Sequence, residues 1–246
     1  MTDRHHNGFT IIELMLVLAI SGAMVTAVLV GSSTAINQQR YRDSVNSLKS
    51  FIQNQYDQVS NTLNDRVGVE GCTVNATIDA TPQARGTSDC MIMGRLVTLA
   101  ANGADLSAVD VVGYRASNFV VPPAMTDLAE LQTYKLGVSS TSGDSDTVAW
   151  GAKVVSPNTT NAFEFSMLII RSPQSGSIMT FTAPGAPPPA GGLLALVSGA
   201  NNVAARDLCV DPGGFSTAKR MEVRISPATT SQAGIQIPLE STSICN

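Results

Sequence analysis

Histidine is nearly absent from this 246-residue chain, and the two that occur, His5 and His6, both lie within the first eight residues. Beyond them no imidazole is available as general base for a serine or cysteine nucleophile, or as a metal ligand. The four cysteines contain no Cys-x-x-Cys pair, so the usual thiolate zinc spacing is missing as well. There is no Gly-rich phosphate loop and no internal repeat. Charge is sparse and slightly acidic, 15 Lys+Arg against 19 Asp+Glu for a net −4, which argues against general nucleic-acid binding. These absences leave no recognisable catalytic motif and no residue set that calls for a cofactor.

What is present begins at the N-terminus. Residues 9–31 carry one formal charge, Glu13. As a helix these 23 residues would be about 34 Å long, against a hydrocarbon core of roughly 30 Å. A buried core helix is the alternative to a membrane span, but few soluble domains carry so long an uncharged run. Within a span Glu13 costs about 2–3 kcal/mol unless it is paired. If the chain were cut after Gly8, the new α-amine would sit on Phe9, four residues before Glu13 and one helical turn away.

Gly8, Phe9, Glu13 as fifth residue of the shortened chain, and the apolar run that follows resemble the class III leader and N-terminal methylation motif of type IV pilin-like proteins. The resemblance implies that a prepilin peptidase cleaves between Gly8 and Phe9 and methylates the Phe9 amine. It implies too that Glu13 pairs with that amine, in the same or a neighbouring subunit, as apolar helices bundle into a filament core. Many major pilins have a helix-kinking proline at mature position 22, where this chain has Val30. Arg4 precedes the span and Arg40 and Arg42 follow it, so charge sets the orientation only weakly. A cytoplasmic leader with the head outside the inner membrane is what the resemblance implies, and a filament outside the cell or in the periplasm after assembly. Implied partners are other pilin or pseudopilin subunits, the prepilin peptidase, an inner-membrane assembly platform, and membrane lipid before assembly.

Three segments follow from this reading: a leader at 1–8, a helix at 9–66 whose first part (9–31) is transmembrane, and a head at 67–246. Tyr41, Val45, Leu48, Ile52, Tyr56, Val59 and Leu63 recur at steps of three and four, the stripe of an amphipathic helix on which a sheet can pack. Continuity with the span makes one helix of nearly 60 residues, bent only if Gly31 and Ser32-Ser33 allow it, and ended by Gly68 and Gly71. In an exported protein an even cysteine count suggests disulfides, and the simplest pairing is Cys72 with Cys90 and Cys209 with Cys245. Each would stabilise the head by about 3–4 kcal/mol. A metal site is the competing use of the four.

Beyond residue 71 short β-like runs alternate with turn residues, at 91–99, 109–115, 118–121, 133–138, 147–155, 163–171, 177–183, 193–197, 206–210, 221–226 and 235–239. The expected fold is α+β: a long N-terminal helix packed on a mainly antiparallel, β-rich head, with one short helix near 126–132. Residues 139–146 read as a hairpin loop, in which Asp144 and Asp146 are weighed as calcium ligands. Residues 184–192, PGAPPPAGG, read as a polyproline-like surface loop. The run of the helix into Cys72, Gly94-Arg95-Leu96-Val97, Ser177 to Phe181, Leu208-Cys209-Val210 and the late strand 221–226 is loosely similar to GspH/FimT-type pseudopilins and minor pilins.

Three functions are weighed. The first is a structural subunit of a type IV pilus, a type II secretion pseudopilus or a competence filament. The second is a filament-tip adhesin or DNA-binding minor pilin, for which Arg206, Lys219, Arg220 and Arg224 form a basic concentration, though such residues are usually a solvated face. The third is a membrane-anchored enzyme, against which the lack of histidine and of catalytic motifs counts.

Overall fold

The computed structural model describes residues 10–61, 71–79, 88–140, 142–189, 191–214, 218–238 and 243–245. One helix, α1 (Ile11–Asn61), runs 51 residues without interruption. Gly31 and Ser32-Ser33 do not break it. Val30, unlike a proline, keeps its N–H for the helical ladder, and the Ser33 and Thr34 hydroxyls donate back to the Val30 carbonyl at 2.9 and 3.2 Å. The expected stop at Gly68 lies outside the described residues, and Gly71 sits in a strand.

The two halves of α1 meet different surroundings. Up to Arg40 it is exposed on every side, with only Asn37 half-covered, and large apolar residues such as Ile11, Leu16, Met24 and Val30 project all round. From Tyr41 onward one stripe is buried, through Val45, Leu48, Ile52, Tyr56 and Val59.

That stripe sits on an antiparallel head. A two-stranded ribbon pairs β1 (Gly71–Cys72) with β2 (Ile78–Asp79). The main sheet holds β3 (Cys90–Leu99), β4 (Asp105–Tyr114), β5 (Lys135–Val138), β6 (Asp144–Thr147), β8 (Phe165–Arg171) and β9 (Ile178–Pro184), in the order β5-β4-β3-β8-β9 with β6 also alongside β4. The second sheet is β12-β11-β10-β7, from β7 (Lys153–Val155), β10 (Arg206–Asp211), β11 (Met221–Ile225) and β12 (Ile235–Gln236). Alternation along the strands sends Val97, Leu99, Met167 and Ile169 from the main sheet, and Leu208, Val210, Val223 and Ile225 from the second, onto the α1 stripe. Leu96, Leu168, Ile170 and Phe181 point the other way, to a second core closed by α2 (Asp127–Leu131) and the turn at Leu193–Leu196. With both faces covered, residues 165–170 of β8 are all buried, which is why that run is apolar at every position but Ser166. A bulge in β3 between Ile92 and Gly94 shifts its register with β4, and on the β8 side any Cβ at Gly94 would collide with the Ile169 carbonyl oxygen.

Several sequence expectations are corrected. The strand expected at 193–197 is instead a 3-10 turn, Leu193–Leu196, because a short apolar run cannot tell a strand from a buried turn. Residues 118–121 form no strand; Phe119 lies instead beside the Arg115 guanidinium, 5.3 Å from its ring. The run 147–155 is broken by a 3-10 turn at Ala149–Gly151. Residues 144–146, expected as the end of a loop, and Thr147, expected in a strand, together form β6. A short helix, α3 (Gly199–Val203), begins at Ser198, whose hydroxyl accepts from the Asn201 N–H at 3.3 Å. Pro184 is the exposed last residue of β9, and the described residues that follow it, 185–189, form no strand.

Two disulfides staple the head. Cys72 is bonded to Cys90, tying the ribbon to the start of β3, and Cys209 to Cys245, pinning the C-terminal turn on β10 beside Val155.

Candidate functional site

The N-terminal apolar segment is built from its first turn upward. Thr10 and Glu13 form a capping box: the Thr10 N–H and hydroxyl both donate to Glu13 Oε2 at 2.9 Å, and the Glu13 N–H donates to Thr10 Oγ1 at 3.2 Å. Glu13 is thus the start signal of α1 as well as its one charge before Arg40. A carboxylate has more acceptor sites than Thr10 uses, so capping leaves it able to take a cation as well. Gly8 and Phe9 lie outside the described residues. Above the cap, a helix that is apolar all round and covered by no described part of its own chain is long and apolar enough to cross a membrane and fits a lipid-facing or helix-bundle environment.

The joint between this segment and the head is set by tyrosines and a buried ionic network. The Tyr41 hydroxyl donates to the Val210 carbonyl at 2.7 Å and accepts from the Met221 N–H at 2.6 Å, fixing the foot of the stripe to β10 and β11. The Tyr56 hydroxyl meets that of Thr180 at 2.8 Å. Burial pushes both phenols up to about 12. Further along, Arg95 in β3 is 2% exposed and binds three elements at once: Gln55 Oε1 on α1 at 3.1 Å, Asp110 on β4 at 2.7 Å and Asp144 on β6 at 2.6 Å. Gln58 also donates to Asp144 Oδ2, at 2.9 Å. Asp144 is therefore committed to an arginine, and among the described residues no three His, Cys, Asp or Glu lie together as a metal cluster. Sequence reading missed this network, although a lone arginine within MIMGRLVTL was its signal. Arg95→Met should destabilise the head by about 3–5 kcal/mol in denaturant titration of the detergent-solubilised protein, because it strands the buried Asp110 carboxylate.

The C-terminal basic residues have the following partners. Register places Arg224 opposite Asp207, where its Nε donates at 2.7 Å, with Glu222 at 3.2 Å. Arg220 donates to Asp211 at 2.9 Å, and Arg206 to the Thr182 hydroxyl at 3.3 Å. Lys219 is exposed. Arg220 and Arg224, already matched by carboxylates, offer less to phosphates than free cations would, whereas Arg206 and Lys219 have no carboxylate partner in these bonds.

Residues 3–29 match the family model described as the Prokaryotic N-terminal methylation motif. No curated protein and no solved structure matches the chain at a significant level.

Proposed function

We propose that a chain opening on a prokaryotic N-terminal methylation motif and carrying this head is a structural subunit of a type IV pilus-like filament: a pilin, minor pilin or pseudopilin. The observation that carries the reading is the exposed apolar half of α1 beneath a head anchored from Tyr41 onward. One half is a ready-made membrane anchor and filament strand, and the other is the seam of a folded domain. In this reading the prepilin peptidase cuts after Gly8, and the methylated amine of Phe9 heads the mature helix. The subunit waits in the inner membrane until an assembly platform extracts it. Extraction exchanges lipid contacts for the helices of neighbouring subunits, so it is nearly neutral for apolar surface, and polar pairing sets the register. The pairing is between Glu13 and a Phe9 amine, most usefully that of a neighbour, since a buried carboxylate and ammonium each relieve the other.

Cell fractionation tests the proposal. In cells with a working prepilin peptidase the protein should appear in the membrane and in filaments, sheared from the surface for a pilin or recovered from the periplasm for a pseudopilin, and deleting the peptidase should confine it to the membrane. A soluble protein, or one found in neither sheared nor periplasmic filaments of cells that make them, would contradict it.

A further inference from the structure

The chain holds a single tryptophan, and it is not used in the core: Trp150 is 54% exposed. Its backbone is left-handed, at φ 61° and ψ 26°, a conformation that side chains with a Cβ avoid. Such a residue persists where its surroundings fix it. Val148 and Ala152 are buried on either side, the Val148 N–H donates to the Ala104 carbonyl at 2.9 Å, and Gly213 packs so closely on Gly151 that a Cβ there would strike the Gly151 carbonyl. The turn therefore holds the indole outward. The Arg40 guanidinium covers the ring, 4.7 Å from its centroid.

Arg40 also has a particular height. It is the first charged residue after Glu13, so residues 14–39 form an uncharged helical stretch of about 39 Å. A bilayer with its headgroup layers is about 40–45 Å thick. Helical side chains lean toward the N-terminus, which tips the Arg40 guanidinium, and with it the cation over the indole, back toward the membrane. The rest of the head begins one residue later, at Tyr41. Exposed Arg42 follows beside exposed Asp43, Asp211 and Arg220 neutralise each other, and exposed Asp105 lies next to Ala104, whose carbonyl holds the Val148 N–H. Arg40 and Arg42 are thus the first two charges above the span on a chain whose net charge is −4.

We propose that Trp150 and Arg40 form a lipid-headgroup site: while the subunit is in the membrane, the foot of the head rests on an anionic bilayer surface, with the indole in the interfacial layer and Arg40 and Arg42 against lipid phosphates. Tryptophan is favoured at that depth, and basic residues at a surface of opposite charge. The site rests on the reading of the uncharged helix as a span. It would hold the head in one attitude over the membrane, and it would have to be released on extraction.

Because Trp150 is the sole tryptophan, its fluorescence reads the site directly. The full-length protein is reconstituted at low density into phosphatidylcholine vesicles, with or without phosphatidylglycerol, and probed with aqueous acrylamide and with shallowly brominated lipids. With phosphatidylglycerol, acrylamide quenching should be lost and brominated-lipid quenching gained, and high salt should reverse both. Arg40→Ala should lower the ratio of lipid-bound to free indole about fivefold, and Arg40→Lys should largely restore it. Equal acrylamide quenching in both lipids and in detergent would overturn the proposal. So would protection that follows protein density and ignores lipid charge, which would assign the patch to a second copy of the chain. Release of the protein by alkaline carbonate would overturn the span reading itself, and this proposal with it.

Discussion

Glu13→Gln should leave the protein folded and inserted in the membrane yet remove it from filaments. Glutamine can keep the capping box with Thr10, so the start of α1 survives, and an uncharged side chain enters lipid more easily than a carboxylate. What is lost is the counter-charge for the Phe9 amine of an incoming or resident subunit. An ammonium left unpaired among apolar helices costs about 3–5 kcal/mol, which corresponds to a drop of roughly a hundredfold or more in incorporation. Glu13→Ala removes both the charge and the cap. It should assemble no better than Glu13→Gln and fray the first turn, by about 1 kcal/mol or less of helix stability. The comparison of membrane and sheared-filament pools for the two variants, with wild type in parallel, separates pairing from capping. If Glu13→Gln assembles normally and Glu13→Ala does not, Glu13 acts as a helix cap and the pairing role is refuted. A subunit that begins the filament has no subunit above it to pair with, so molecules per filament are to be counted in the same samples.

Gly8→Glu should abolish maturation altogether. The residue before the cut is the smallest available, and a long charged side chain placed beside an apolar span does not fit a pocket shaped for it. The precursor should still insert, because residues 9–31 are unchanged, and should accumulate at full length in the membrane. Without a free Phe9 amine, Glu13 then has no partner in a neighbour, and filament incorporation should fall with processing. Immunoblots of fractionated cells read both effects. Full-length Gly8→Glu protein found in filaments at the wild-type level would separate assembly from cleavage and contradict the account.

How much of this was legible before any coordinates depended on whether each element carries its own period. The α1 stripe from Tyr41 to Val59 is periodic at every step, and the uncharged run before it is long enough to need no tertiary context. Residues 221–226 alternate, and β11 is there. β6 was not legible, since an edge strand of Asp, Ser and Thr has no apolar face to announce it and is held by pairing with β4. The turn at Leu193–Leu196 was misread because its burial comes from the opposite face of the main sheet, which no local pattern reveals. In the candidate site, Glu13 stood out as a charge in an apolar run, but its bond to Thr10 did not, although Thr-x-x-Glu is the spacing of a capping box. Arg95, Asp110 and Asp144 come from three strands, so their meeting is a product of register. Trp150 over Arg40 is likewise invisible in sequence, where the two are more than a hundred residues apart.

The central claim is that this chain is trimmed to Phe9 and built into a filament through its apolar helix. Intact-mass measurement of the protein recovered from sheared filaments tests it most directly. The account predicts a single species that begins at Phe9, carries one added methyl group on its N-terminus, and has both disulfides formed. A species in those filaments that still begins at Met1 would contradict it.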